Sequence, residues 1–121
     1  FKIARDQIFN PLFVNDLKKI VKVFLAKKIK GTFNVGGPQQ LSRSKVFKIV
    51  MQVLGKKIMS RTNLDEISLK EFSTFDNRPL NVSMNIKKLK SKINFKLKNI
   101  RNITVKMVNK NNVKSKIFKR R

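Results

Sequence analysis

At 121 residues the chain is long enough for one domain with a modest core, and its 40% apolar content is compatible with folding. It contains no cysteine and no histidine, which excludes disulfides, thiol chemistry and the usual zinc, copper and haem ligands. With tyrosine and tryptophan missing as well, no Ser-His pair, thiolate nucleophile or tyrosine acid can be assembled from it.

The formal charge is +24, from 30 Lys and Arg against 6 acids. Charge of this size ordinarily points to nucleic acid or an anionic membrane surface. Two features weaken that reading. Lysine outnumbers arginine 23 to 7, whereas recognition by a planar fork favours arginine. Lys, Asn, Ile and Phe are also abundant together, as an AT-rich coding sequence produces without selection for binding. The charge is therefore read as composition on solvated faces, with nucleic acid as a secondary alternative. After Asp76 there is no acid at all while fifteen Lys or Arg follow, so any polyanion contact is expected in this last third. No apolar run is long enough for a membrane span.

In chain order, residues 1–12 read as a strand or extended lead-in that ends at the turn signal Asn10-Pro11. Leu17, Ile20, Val21, Phe24 and Leu25 then recur at helical spacing with lysines opposite. Asn15 or Asp16 is the expected N-cap and Gly31 the stop. Thr32–Val35 reads as a short strand stopped by Gly36-Gly37-Pro38. Ser42 is the expected N-cap of a second helix with the stripe Val46, Ile49, Val50, Val53 and Leu54, and Gly55 its C-terminal stop.

Short strands are expected at Ile58-Met59 and Ile67–Leu69, then a polar turn around Asp76-Asn77. Arg78-Pro79 is a stiff, extended dipeptide. Asn85 sits where an N-cap belongs, ahead of Ile86, Leu89 and Ile93. Ile100, Ile103 and Met107 or Val108 allow one more helix, and residues 110–121 read as a solvated tail. The helix–strand–helix rhythm favours a mixed α/β class.

Among the six acids, Asp65-Glu66 is the one adjacent pair, and sequence neighbours rarely converge on one reacting atom, so no catalytic residue is assigned. Gly36-Gly37-Pro38 matches neither G-x-G-x-x-G nor G-x-x-x-x-G-K-[ST]; it reads as a tight turn using glycine's access to positive φ. The phenylalanines at 9, 13, 24, 33 and 47 read as core rather than as base-stacking platforms. Arg78 is either a solvated loop residue or a rigidly held guanidinium that forks onto phosphate oxygens. Asn81 could orient it, bond a ligand hydroxyl, or only form a turn.

Three segments in order, PLFVNDLKKIVKVFL, KGTFNVGGPQQLSRSKVFKIVMQVLG and RPLNVSMNIKKLKSKINF, resemble the C-terminal part of the dTDP-4-dehydrorhamnose reductase family of extended short-chain dehydrogenases. That family carries a Pro-Thr-x-x-x-x-Asp-Leu-Ala helix start, a Gly-x-[Tyr/Phe]-[Asn/His] strand, a Ser-led helix, and an Arg-Pro-x-Asn-x-x-Leu-[Asp] segment followed by Lys-Leu. The resemblance covers about residues 5–95. It implies an α/β fold, the substrate-binding portion (1–95) of a Rossmann-type NAD(P) enzyme, followed by a basic C-terminal helix and tail (96–121).

The family's reductases reduce a 4-keto nucleotide sugar with a Tyr-x-x-x-Lys pair. In related epimerases the arginine of the Arg-Pro segment contacts the substrate diphosphate, which would make Arg78 and Asn81 substrate-binding. On the same resemblance the intact protein is cytoplasmic and uses NAD(P), and its partner is a missing N-terminal Rossmann portion. A regulatory subunit like the beta subunit of methionine adenosyltransferase, of similar sequence, is the nonenzymatic alternative.

Departures are plain. No tyrosine and no glycine-rich cofactor loop exist here, Leu12 stands where Thr is usual, and Asn85 replaces the usual Asp. Beginning at Phe1, the chain is expected to be a piece of a longer protein that exposes an apolar interface when isolated.

Overall fold

The computed structural model describes residues 1–55, 60, 62–72 and 78–118, the last eight as helical backbone. Among the described residues it is a mixed α/β arrangement with two small sheets and four α-helices. The strand expected at Ile58-Met59 and the turn at Asp76-Asn77 lie outside the described residues.

The lead-in forms two strands, β1 (Lys2–Ala4) and β2 (Ile8–Phe9). β2 pairs antiparallel with β3 (Leu41–Ser42), Ile8 facing Ser42. On its other side Ile8 donates to Leu80 O at 2.7 Å and accepts from Val82 N at 2.9 Å, in a single parallel bridge to Asn81. The strand expected at 67–69 lies two residues earlier, as β4 (Asp65–Ile67), and pairs in parallel with β1 with Ile3 opposite Glu66. It cannot continue because Ser68 caps a 3₁₀ turn, Leu69–Glu71: the Ser68 N–H donates to Glu71 Oε1 at 2.8 Å.

α1 (Val14–Ala26) forms where the apolar periodicity places it, but its caps differ. Phe13 occupies the N-cap and gives no side-chain bond. Asp16 is buried and accepts the Lys98 N–H at 2.7 Å, so it fastens the segment before the last helix rather than capping its own. At the C-terminus Lys28 takes the left-handed conformation (φ 51°) three residues before Gly31, itself at φ 107°, and Ile29 N–H reaches back to Phe24 O at 3.0 Å in a Schellman closure.

Ile20 and Phe24 face inward, while Val14, Leu17, Val21 and Leu25 leave an apolar flank exposed. Periodicity located the stripe; tertiary packing covers only one edge of it.

Thr32–Val35 is not a strand, having no ladder partner among the described residues. Its place is fixed by side chains instead: Lys88 Nζ donates to Thr32 O at 2.9 Å, Phe33 meets Phe24 edge-on at 4.9 Å, and Val35 packs on the core. Gly36 and Gly37 also depart from expectation, since neither has positive φ. They are glycines because other atoms come too close. A Cβ on Gly37 would lie 1.7 Å from Pro11 O, and one on Gly36 2.8 Å from the Asn10 Cβ.

α2 (Arg43–Leu54) is as the sequence signals it. Ser42 Oγ accepts the Lys45 N–H at 3.3 Å, and Gly55, at φ 100°, ends the helix. α3 is a single turn, Lys87–Lys90, with the Asn85 Oδ1 accepting the Lys87 N–H at 2.9 Å. α4 runs from Ile100 to Phe118 and so includes much of the stretch expected to be a tail. Asn99 Oδ1 accepts the Asn102 N–H at 2.9 Å at its start, and Gln39 Oε1 accepts Ile100 N–H at 2.9 Å.

One core cluster joins Ile20, Ile86 and Leu89, flanked by Phe24, Val35, Ile93, Phe95 and Leu97. α4 packs on α2 near the buried Met51 and Ile103.

Candidate functional site

Arg78-Pro79 enters the fold beside β2, held two residues downstream by the backbone bonds of Leu80 and Val82 to Ile8. The arginine itself is exposed, and among the described residues its guanidinium has no acceptor. It lines a cavity of about 470 Å³ whose wall is largely apolar, with aliphatic side chains beside Phe1, Phe9, Phe47 and Phe72, and with Phe1 stacked on Phe47 at 5.3 Å. Gln7 and Arg43 bring polar groups to the same wall. Ligand sites are commonly concave and apolar with a few placed polar groups, in this range of volume.

Phe9 and Phe47, read as core from sequence, thus face a cavity and are only half-buried. Phe24 and Phe33 do pack inward as expected. Asn81 does not reach Arg78. Its Oδ1 accepts the Ser83 N–H at 2.9 Å, the turn-forming arrangement, and Asn81 does not line the cavity.

Sequence reading missed Arg43 and Gln7. Arg43 is the first residue of α2 and looks like part of a polar helix face. Its N–H donates to Gln7 O at 3.2 Å, its Nε donates to Gln7 Oε1, and its guanidinium carbon lies 5.5 Å from the Phe9 ring centroid. These partners lie 36 and 34 positions away in sequence, so no local motif signals them.

Carboxylates near the cavity wall are engaged within the chain. Asp6 is held below its ordinary value of 3.8 by the Ser68 hydroxyl, at 2.5 Å, and the Leu69 N–H, at 2.8 Å. Glu66 is held below 4.5 chiefly by Lys48, whose Nζ is 2.5 Å from Oε1. Arg5 is occupied as well, donating to Glu66 O at 3.3 Å and lying 3.8 Å from Glu71.

Part of the large positive charge is used inside the fold. Lys19, Lys88 and Lys106 sit over the rings of Phe95, Phe33 and Phe13, besides Arg43 over Phe9. Among the described residues there is no cluster of acids that could hold a metal, and no helix is long and apolar enough to cross a membrane.

The Gly36-Gly37 pair does not form a dinucleotide cradle. Gly36 and Gly37 are buried against Asn10 and Pro11, and the Gly37 N–H donates to Asn10 O at 3.4 Å, so this glycine pair offers no open cradle for phosphates.

Comparison with models of known families, with curated proteins and with solved structures finds no match to the chain.

Proposed function

We propose that the chain is the substrate-binding portion of a nucleotide-sugar reductase or epimerase of the dTDP-4-dehydrorhamnose reductase type. The observation that carries this reading is Arg78, an arginine with no acceptor among the described residues, on the wall of an apolar cavity that includes four phenylalanines. A nucleotide sugar has both parts such a place can accept: a flat base for aromatic walls and a diphosphate for a guanidinium fork. The order of the three segments in the sequence points the same way.

On this reading the Rossmann portion, the NAD(P) and the Tyr-x-x-x-Lys pair belong to sequence outside these 121 residues. The chain's own share is to bind and orient. The phenylalanine walls exclude water from one end of the ligand, while the Arg78 Nη groups hold phosphate oxygens at the other.

The test is kinetic, in the protein that includes the cofactor-binding portion. Hydrogen bonds to a charged group contribute about 1.5–3 kcal/mol, so Arg78→Ala is expected to raise KM for the nucleotide sugar by about tenfold or more. Affinity for NAD(P) should not change. An unchanged KM removes Arg78 from the site.

A further inference from the structure

Arg43 differs from an ordinary surface arginine in how much of it is fixed. At the first position of α2 its N–H is bonded to Gln7 O at 3.2 Å. Its Nε donates to Gln7 Oε1, and its guanidinium carbon stands 5.5 Å from the centre of the Phe9 ring. Gln7 is 7% exposed, so a buried amide is committed to orienting this side chain. Burying an amide is costly unless it is hydrogen-bonded. Holding Nε sets the plane of the guanidinium and leaves the two Nη nitrogens, which have no acceptor among the described residues.

Arg43, Gln7, Phe9 and Arg78 all line the same cavity. Both guanidiniums are exposed, and Lys2 lines the same cavity, so its rim carries three cations and, among the described residues, no acid lines it. An anion with two charged groups can meet two of these cations at once, which one with a single group cannot. Planar forks also match phosphoryl oxygens two at a time.

We propose that Arg43 is the second guanidinium of the Arg78 site, and that the pair takes a diphosphate, one phosphoryl group to each. The proposal rests on the reading of Arg78 given above and deepens it, because it makes the number of phosphates a determinant of binding. Gln7 acts through Arg43 as a positioning residue.

The experiment is calorimetric titration of the 121-residue chain with dTDP and, separately, dTMP. The unmodified chain is expected to prefer dTDP by about tenfold or more, since each added hydrogen bond to a charged group is worth about a decade in affinity. Arg43→Met keeps an unbranched stem on Phe9 and removes the fork; the preference should fall to about twofold. Arg43→Lys should fall between the two, as a point charge without a fork. Gln7→Met, with Arg43 present but unpinned, should also reduce the preference.

A merely structural Arg43 would weaken both ligands alike and leave their ratio unchanged. If the ratio is unchanged in Arg43→Met while Arg78→Ala abolishes it, the Arg43 proposal fails and the Arg78 reading survives. If neither nucleotide binds the unmodified chain, both fail. Should Arg43→Met not fold, as judged by thermal unfolding, the Arg43→Lys ratio decides in the same way.

Discussion

Two regions of this molecule treat their polar groups in opposite ways. Where the Gly36-Gly37 turn, α3 and the start of α4 meet, inward-facing side chains find partners within the chain. Asn10 donates to Gly37 O at 3.2 Å and accepts from Met84 N at 2.6 Å, Asp16 accepts from Lys98 N, and Gln39 accepts from Ile100 N. Beside α2, the cavity wall is mostly apolar, and the guanidinium of Arg78 and the Nη groups of Arg43 have no acceptor among the described residues. The first region is closed on itself by distant backbone amides. The second leaves cationic donors facing a concave surface, which is the arrangement an anionic ligand completes.

If that contrast is right, small changes in the closed region should be costly in stability, whereas changes at the cavity should act on binding. The largest effect is expected at Gly37. A methyl group there would overlap Pro11 O, at 1.7 Å, and backbone cannot swing aside as a long side chain can. Overpacking of this kind costs roughly 1–3 kcal/mol and sometimes more, and Gly37→Ala belongs at or above the top of that range. Chemical denaturation would read it as a lower midpoint or loss of the cooperative transition. A variant as stable as the parent would mean that Pro11 and Gly37 do not approach as described.

How legible the chain is follows the same division. Ser42 and Gly55 bound α2 through bonds and a φ angle that lie within a few residues, and both could be read from the sequence. Gly37 could be seen as necessary but for the wrong reason, because the atom that excludes a Cβ is 26 positions away. Asp16 has the composition of a cap and the position of one, yet burial and a bond spanning 82 residues decide its role. The candidate site divides likewise. Arg78 stood out through Pro79 and the resemblance, whereas Arg43 depends on Gln7 and Phe9, which only the pairing of β2 with β3 brings alongside.

Asp16 gives the next effect in size. Its carboxylate is 1% exposed and accepts the Lys98 N–H at 2.7 Å, fixing the segment that leads into α4. Removing the acceptor leaves that donor unpaired, at a cost of about 1–3 kcal/mol, so Asp16→Ala should lower Tm by several degrees. Asp16→Asn retains an oxygen acceptor and should lose less. Comparison with Arg78→Ala sharpens the contrast between regions. That variant also removes one charge, but an exposed one with no acceptor among the described residues, so its Tm should stay near the parent's. Equal losses in the two would show that the cavity side is also built for stability.

The smallest effect concerns the border between the regions, at Asp6. Its carboxylate joins the β1–β2 corner to the 3₁₀ turn by accepting the Ser68 hydroxyl at 2.5 Å and the Leu69 N–H at 2.8 Å, which places its folded pKa below the ordinary 3.8. A carboxyl with a lowered folded pKa binds its proton more readily when unfolded. Its contribution is therefore complete above 3.8 and is lost as pH falls below that value through the lower folded pKa. Glu66, lowered mainly by Lys48, follows the same sign from 4.5 downward, so acid titration of the parent chain reports both. Asp6→Asn isolates the first. Measured against the parent from about pH 6 to about pH 2.5, the variant should be less stable at the upper end and approach the parent at the lower. Parallel curves across the range would mean that the Asp6 carboxylate gains nothing from Ser68 and Leu69, and that the corner is held by the β1–β4 pairing alone.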